Sequence, residues 1–331
     1  MTLRSFLVKR FVYTIVLIFF VIILNWVIFE AMPGVTGSLY DVVGGHNRLA
    51  AQQIAAQDAL YGLNQSAIVQ FEDYVRNMVT FNFGISFHDN QQITKELVSS
   101  GRLVNTLVLV GLSTIVSIVI GILLGILASR RRGSTADNLF VTASLTSFSL
   151  PTFFIGIVLI FIFADALNLF PPVGTIPGSW AAGLPPWYDQ IIPRLKYLFL
   201  PTLTLTLFTY GGFLLLTRAT MMETLSEDYI TTARAKGLSE RVILLRHAFK
   251  NASLPLVTAS ALSFGGILGG AIITETIFNY AGLGRWLYEA VLYKDFPVME
   301  AMFFIIGLCV IAANLISDIV YGIIDPRIKY E

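Results

Sequence analysis

Residues 11–29 read Phe11-Val-Tyr-Thr-Ile-Val-Leu-Ile-Phe-Phe-Val-Ile-Ile-Leu-Asn-Trp-Val-Ile-Phe29, without a formal charge. As a helix rising 1.5 Å per residue, a run of this length covers about 28 Å, close to the roughly 30 Å of a bilayer's hydrocarbon core. Arg4, Lys9 and Arg10 precede it, as basic residues precede a secretory signal. A signal core, however, spans only about 7–15 residues and ends in small side chains. This run is longer and ends Trp26-Val-Ile-Phe-Glu30, so it reads as an uncleaved first span. Five comparable runs follow, at 103–129, 139–163, 198–217, 256–278 and 301–324. The composition agrees: of 331 residues 55% are apolar and 13% charged, about half the charged share of a soluble domain. The expectation is an all-α membrane protein of six transmembrane helices in one domain, 1–331. It divides into a first span (1–30), an external segment (31–102) and a five-span core (103–331).

Positively charged loops stay on the cytoplasmic side. With the N-terminus inside, the cytoplasmic segments hold 14 Lys and Arg, including Arg130-Arg-Arg132 and six between Arg218 and Lys250, against 8 in the longer external segments. Both termini are therefore expected to be cytoplasmic. In the long external loop, Ile68, Phe71, Val75 and Met78 recur at three- and four-residue steps, which predicts a helix with one apolar stripe. Small residues four apart, Gly121 with Gly125, Gly265 with Gly269 and Gly266 with Gly270, predict close helix contacts in lipid. Pro151 predicts a kink in the third span.

Other chemistries find little support. Cys309 is the lone cysteine, and His46, His88 and His247 lie far apart, so no metal-ligand spacing exists. Nothing in the charge pattern suggests nucleic-acid binding.

The cytoplasmic loop 218–254 carries the most information. Ser226-Glu-Asp-Tyr-Ile-Thr-Thr-Ala-Arg-Ala-Lys-Gly237 has the anatomy of a short helix. Ser226 is placed to cap the first amides, acidic Glu227 and Asp228 open the helix, basic Arg234 and Lys236 close it, and Gly237 supplies a left-handed stop. A second helix is predicted from Ser239 through Lys250 to Leu254-Pro255. The pattern fits either a projecting element gripped by another protein or an interfacial loop with solvated charges.

The runs Glu227-Asp-Tyr-Ile-x-x-Ala-Arg-Ala-Lys-Gly-Leu238 and Arg246-His-Ala-x-x-Asn-Ala-x-Leu-Pro255 resemble the coupling motif of ABC-importer permeases of the dipeptide, oligopeptide and nickel family. Met32-Pro-Gly, Gly84-Ile-Ser, Thr274-Glu-Thr-Ile-Phe, Gly282-Leu-Gly-Arg-Trp, Asp295-Phe-Pro-Val, Asn314-Leu-Ile-Ser-Asp and Asp325-Pro-Arg-Ile resemble that family too, in order along the chain. The resemblance implies a permease subunit forming half of a translocation pathway. Its implied partners are a second homologous permease, two cytoplasmic ABC ATPases and an extracytoplasmic substrate-binding protein, in a prokaryotic plasma membrane. Glu227, Asp228, Tyr229, Ala233, Arg234, Ala235 and Gly237 would make the ATPase contact. Di- or oligopeptides are the cargo implied first, with oligosaccharides or nickel as alternatives. One departure is Phe81-Asn-Phe-Gly84, where many members read Gly-Asp-Leu-Gly, so an altered external turn is expected there.

The chain has no phosphate-binding Gly-x-x-x-x-Gly-Lys-Ser/Thr loop. ATP and Mg are accordingly expected in the partner subunits, with no cofactor here. No nucleophile elbow, His-Glu-x-x-His or usefully spaced carboxylate pair marks an enzyme. A rival reading, an ion-driven secondary transporter, would call for mid-membrane ionisable residues and often an inverted repeat, and neither is apparent. For the path, hydroxyls cluster in the third span (Ser144, Ser147, Ser149 and Thr152 among them) and in the fourth (Thr202, Thr204, Thr206 and Thr209, with Tyr210 following). They fit pore lining or helix packing, since Ser and Thr also bond their own helix carbonyls. Asp318, Asn25 and Asn314 are candidates for bridging helices.

Overall fold

The computed structural model describes residues 3–31 and 65–324. Met32-Pro-Gly, His46, Arg48 and the final segment from Asp325 lie outside the described residues. Within them the chain is helical, and the only β feature is an isolated bridge between Ile85 and Gln92. Among the described residues four helices are long and apolar enough to cross a membrane, or five if one bent pair counts as a single span.

Helix α1 (Leu3–Trp26) runs into a π-helical turn, Val27–Ala31. Most of its large apolar side chains, Phe11, Val16 and Phe20 among them, face outward, the pattern of a helix solvated by lipid instead of water. Next among the described residues come α2 (Ala67–Val79) and α3 (Ile93–Ser99). The predicted stripe does form α2, and it packs inward: Met78 and Tyr74 are buried and Phe71 meets Trp26 edge-on at 5.2 Å, while Ile68 stays exposed. The Phe81-Asn-Phe-Gly84 run turns the chain at the end of α2. Phe81 holds φ 55° and closes α2 by donating to the Met78 carbonyl while Asn82 donates to that of Asn77. A non-glycine residue in that left-handed conformation costs on the order of 1 kcal/mol. Its ring lies 5.9 Å from Phe83 and 6.2 Å from Phe304.

Helix α4 (Arg102–Arg130) packs along α7 (Trp187–Leu225). Gly121 and Gly125 allow the contact: a Cβ on Gly121 would run into Phe213 and the Tyr210 carbonyl, and one on Gly125 into Thr217 and the Leu214 carbonyl. Side-chain surroundings at 264–270, where the other two glycine pairs fall, lie outside the described residues.

The third apolar run is broken, where a kink was expected. Helix α5 (Thr135–Ser149) and helix α6 (Thr152–Leu159), which continues through the π-helical Ile160–Ala166, meet at 105°. Pro151 has no N–H to donate and forces the preceding residue out of helical geometry. Leu150 is accordingly extended, and the Pro151 carbonyl starts the new helix by accepting from Phe154 and Ile155.

After α7 come α8 (Asp228–Ala235), α9 (Glu240–Val242), a π-helical turn (Ile243–Ala248), α10 (Phe249–Ile277), α11 (Leu283–Tyr293) and α12 (Phe296–Ile324). Helix α12 pairs with α1: Asn25 donates to the Glu300 carbonyl at 3.0 Å, and Arg10 reaches Asp318 at 2.7 Å. Both polar residues thus find partners, as burial of polar groups in lipid demands.

Candidate functional site

Helix α7 ends at Leu225, and its last turns carry the loop. The Ser226 hydroxyl donates back to the Glu223 carbonyl at 2.6 Å, so it closes α7 and does not cap α8 as expected. Glu227 takes the N-cap position through its backbone. At the other end Gly237, with φ 74°, donates to the Arg234 carbonyl and Leu238 donates to that of Ala233. This is the paired-bond termination that a left-handed glycine permits.

The loop has an inner and an outer face. Ile230 and Ala233 are buried with Met221, Ile243, Leu244 and Ala248, and Ile126, Leu225 and Phe249 pack around them. Glu227, Asp228, Tyr229, Arg234, Ala235 and Gly237 are exposed. Of the seven residues expected to meet a partner, Ala233 alone is turned into the chain's own core. Arg234 ties the turn to Glu240 at 3.1 Å, and Asn251 donates to the Tyr229 hydroxyl at 2.8 Å. Tyr229 stands between two open grooves. One, of about 550 Å³, is walled by Glu223, Glu227 and Asn251; the other, of about 940 Å³, by Val242, Leu245, Arg246 and His247.

The six path candidates Ser144, Ser147, Ser149, Thr152, Thr209 and Tyr210 do not gather around one cavity. Ser144, Ser147 and Ser149 donate to the carbonyls of Val141, Ser144 and Leu145. Thr209 donates to the Leu205 carbonyl and shares a 2.6 Å hydrogen bond with Ser117. Thr152 and Tyr210 are buried. An apolar cavity of about 850 Å³ between α4, α10 and α12 is lined instead by residues such as Val110, Leu256, Val257, Cys309 and Ala312.

Several of the other family-like runs come together where α10 meets α11. The fully buried Glu275 of α10 reaches the start of α11, accepting from the Thr106 hydroxyl at 2.6 Å and from the Arg285 amide at 3.0 Å. A carboxylate at a helix N-terminus satisfies orphan amides and meets the positive end of the dipole. Gly282 leaves it room, since a Cβ there would fall on the carboxyl group. Nearby, Asp295 accepts from the Ser86 hydroxyl and from the Phe87 amide, tying the Gly84-Ile-Ser and Asp295-Phe-Pro-Val runs together. Arg102 lies 3.0 Å from Glu96 and 4.8 Å over the Trp286 ring. Burial pushes the Glu96 carboxyl above its ordinary value, and Arg102 opposes the shift. The glycine spacing in Gly282-Leu-Gly284 was the available signal for this assembly, but spacing alone does not say that a carboxylate from another helix fills the gap.

Comparison with known proteins agrees with this anatomy. Residues 121–330 match the family described as "Binding-protein-dependent transport system inner membrane component". The chain is 34% identical to the probable peptide ABC transporter permease protein y4tP of Sinorhizobium fredii, over 98% of this chain and 99% of that one. It is 33% identical to the oligopeptide transport system permease protein AppB of Bacillus subtilis, over 99% and 100%. It is also 33% identical to the glutathione transport system permease protein GsiC of Escherichia coli, over 99% of each. The chain therefore belongs to the family of binding-protein-dependent transport system inner membrane components, as a multi-pass permease subunit of an ABC importer.

Proposed function

We propose that this permease imports di- or oligopeptides as half of a translocation pathway completed by a second, homologous permease. Six crossings, with the bent α5–α6 pair as the third and both termini cytoplasmic, accord with the positive-charge bias of the loops. An extracytoplasmic binding protein delivers the cargo. ATP, with Mg, is hydrolysed on two ATPase subunits that grip the loop through Glu227, Asp228, Tyr229, Arg234, Ala235 and Gly237. The observation that carries this reading is the two-faced loop: one side is anchored in the chain's own core through Ile230 and Ala233, and the other is left uncovered with a defined turn. The peptide cargo is supported by the names of the relatives y4tP and AppB, and the cargo named for the glutathione permease lies within the same chemical class.

The test is uptake of labelled peptides into vesicles bearing the assembled importer. Import should require ATP on the cytoplasmic side and the binding protein on the other. Gly237→Trp should leave the permease inserted yet abolish uptake, because its backbone must stay left-handed, costing on the order of 1 kcal/mol, while an indole is added to the docking face. Normal uptake and normal ATPase stimulation in that variant, or wild-type uptake that persists without ATP on an ion gradient, would overturn the reading. Uptake of a sugar or of nickel in preference to peptides would overturn the cargo alone.

A further inference from the structure

We propose that Asp137 and Arg218 form the strut through which movement of the cytoplasmic loop reaches the third apolar segment. This deepens the permease reading and rests on it. The pair is a two-pronged contact: Arg218 Nε lies 2.6 Å from Asp137 Oδ1 and Nη2 lies 2.8 Å from Oδ2. Asp137 is 1% exposed. Its second oxygen also accepts from the Gly133 amide at 2.8 Å, and its own amide donates to Ser134 at 3.2 Å. The carboxylate is thus held by the Gly133 amide, just before α5, on one side and by Arg218 of α7 on the other. A buried ion pair adds little net stability over an apolar contact of the same size, but forked geometry holds two elements at a set distance and angle.

Position gives the pair its meaning. Arg218 lies three residues before Met221 and seven before Leu225, which anchor the loop through Ile230 and Ala233. Seven residues further up α7, Gly211 comes so close to Ser144 that an added Cβ would sit 2.9 Å from its carbonyl oxygen. Ser144 is likewise seven residues from Asp137 on α5, so the two antiparallel helices are joined at two matched points. Helix α5, 15 residues or about 22 Å long, then ends at the Leu150–Pro151 break, where α6 departs at 105°. A displacement of the loop moves the end of α7, the ion pair passes it to α5, and α5 swings about its proline end. Asp137 and Arg218 are positioning residues; they touch neither nucleotide nor cargo.

The experiment uses the complete importer in vesicles, comparing wild type, Asp137→Asn, Arg218→Lys and the exchanged double variant Asp137→Arg with Arg218→Asp. The readouts are assembled complex, ATP hydrolysis and peptide imported per ATP hydrolysed. The expected result is normal assembly with continued hydrolysis, and imported peptide per ATP lower by roughly 2- to 30-fold in each single variant. Partial recovery is expected in the exchanged pair. A merely structural pair would lower assembly, hydrolysis and uptake together and leave their ratio unchanged, which overturns the proposal, as does a wild-type ratio in both single variants. Failure of Asp137→Asn to assemble leaves the decision to Arg218→Lys, which keeps the charge and loses the fork; failure of both means a structural pair. A wild-type importer that moves neither peptide, sugar nor nickel with ATP defeats the importer reading itself, and the strut with it.

Discussion

Replacing Gly121 or Gly125 by alanine adds one carbon where two helices touch through their backbones. A Cβ at Gly121 would stand 2.7 Å from the Tyr210 carbonyl oxygen and 3.0 Å from the Leu214 amide nitrogen; at Gly125 it would stand 2.7 Å from the Leu214 carbonyl oxygen. Both fall about 0.7 Å short of the separation at which ordinary contact begins, near 3.4 Å. The obstacles are backbone atoms and, nearer still, the Cβ atoms of Phe213 and Thr217, which no rotamer change can move, so α4 must move off α7 by at least that amount. Forcing a methyl group into a packed contact costs about 1–3 kcal/mol. With a Tm change of roughly 2–4 °C per kcal/mol in domains of 150–250 residues, each variant should melt about 2–12 °C lower. The double variant should lose less than the sum, because one displacement accommodates both methyl groups. Gly111→Ala is the control: it lies on the same helix with nothing within 4 Å of the added carbon, and its better helix propensity should leave Tm unchanged or higher. The assay is thermal unfolding of the purified permease in one detergent at one scan rate. If Gly121→Ala and Gly125→Ala melt with the Gly111→Ala protein, the helices do not depend on this contact and the reasoning fails.

The contacts around α11 yield two more predictions. Gly282→Ala should displace the Glu275 carboxyl from the start of α11, and faster amide hydrogen exchange across 283–293 than in wild type would report the lost cap; unchanged exchange there would refute it. For Glu96, desolvation raises the folded-state value above the ordinary 4.5, so its favourable contribution is complete below the unfolded value and is lost as pH rises through the folded one. Wild type should therefore lose stability relative to Glu96→Gln between about pH 4 and neutrality, as measured by Tm across that range; a gap that moves the other way contradicts the burial argument.

Much of this protein was legible in one dimension because lipid imposes one-dimensional rules. The uncharged run 11–29, the stripe at Ile68, Phe71, Val75 and Met78, and the Gly121 and Gly125 spacing each follow from helix geometry and an apolar solvent, and each appears where expected. Gly237 was readable for a similar reason, since a left-handed stop is a local backbone requirement. Ser226 was misassigned because one hydroxyl can close the preceding helix or open the next, and the choice turns on where α7 ends. Ala233 looked like a contact residue, yet whether a small side chain faces outward or into the core depends on the rotation of α8 about its axis, which Ile230 and the Ile243–Ala248 turn determine.

The amino-acid order alone determined that the chain is a bundle of apolar helices with a capped, charged loop on its basic side, because those properties reside in neighbouring residues and the solvent around them. Only the tertiary structure decided that Asp137 meets Arg218, that Glu275 reaches the amides after Gly282, and that the Pro151 run breaks through 105°. Such pairings join residues far apart in the chain, and their energies exist only once the helices have chosen a register.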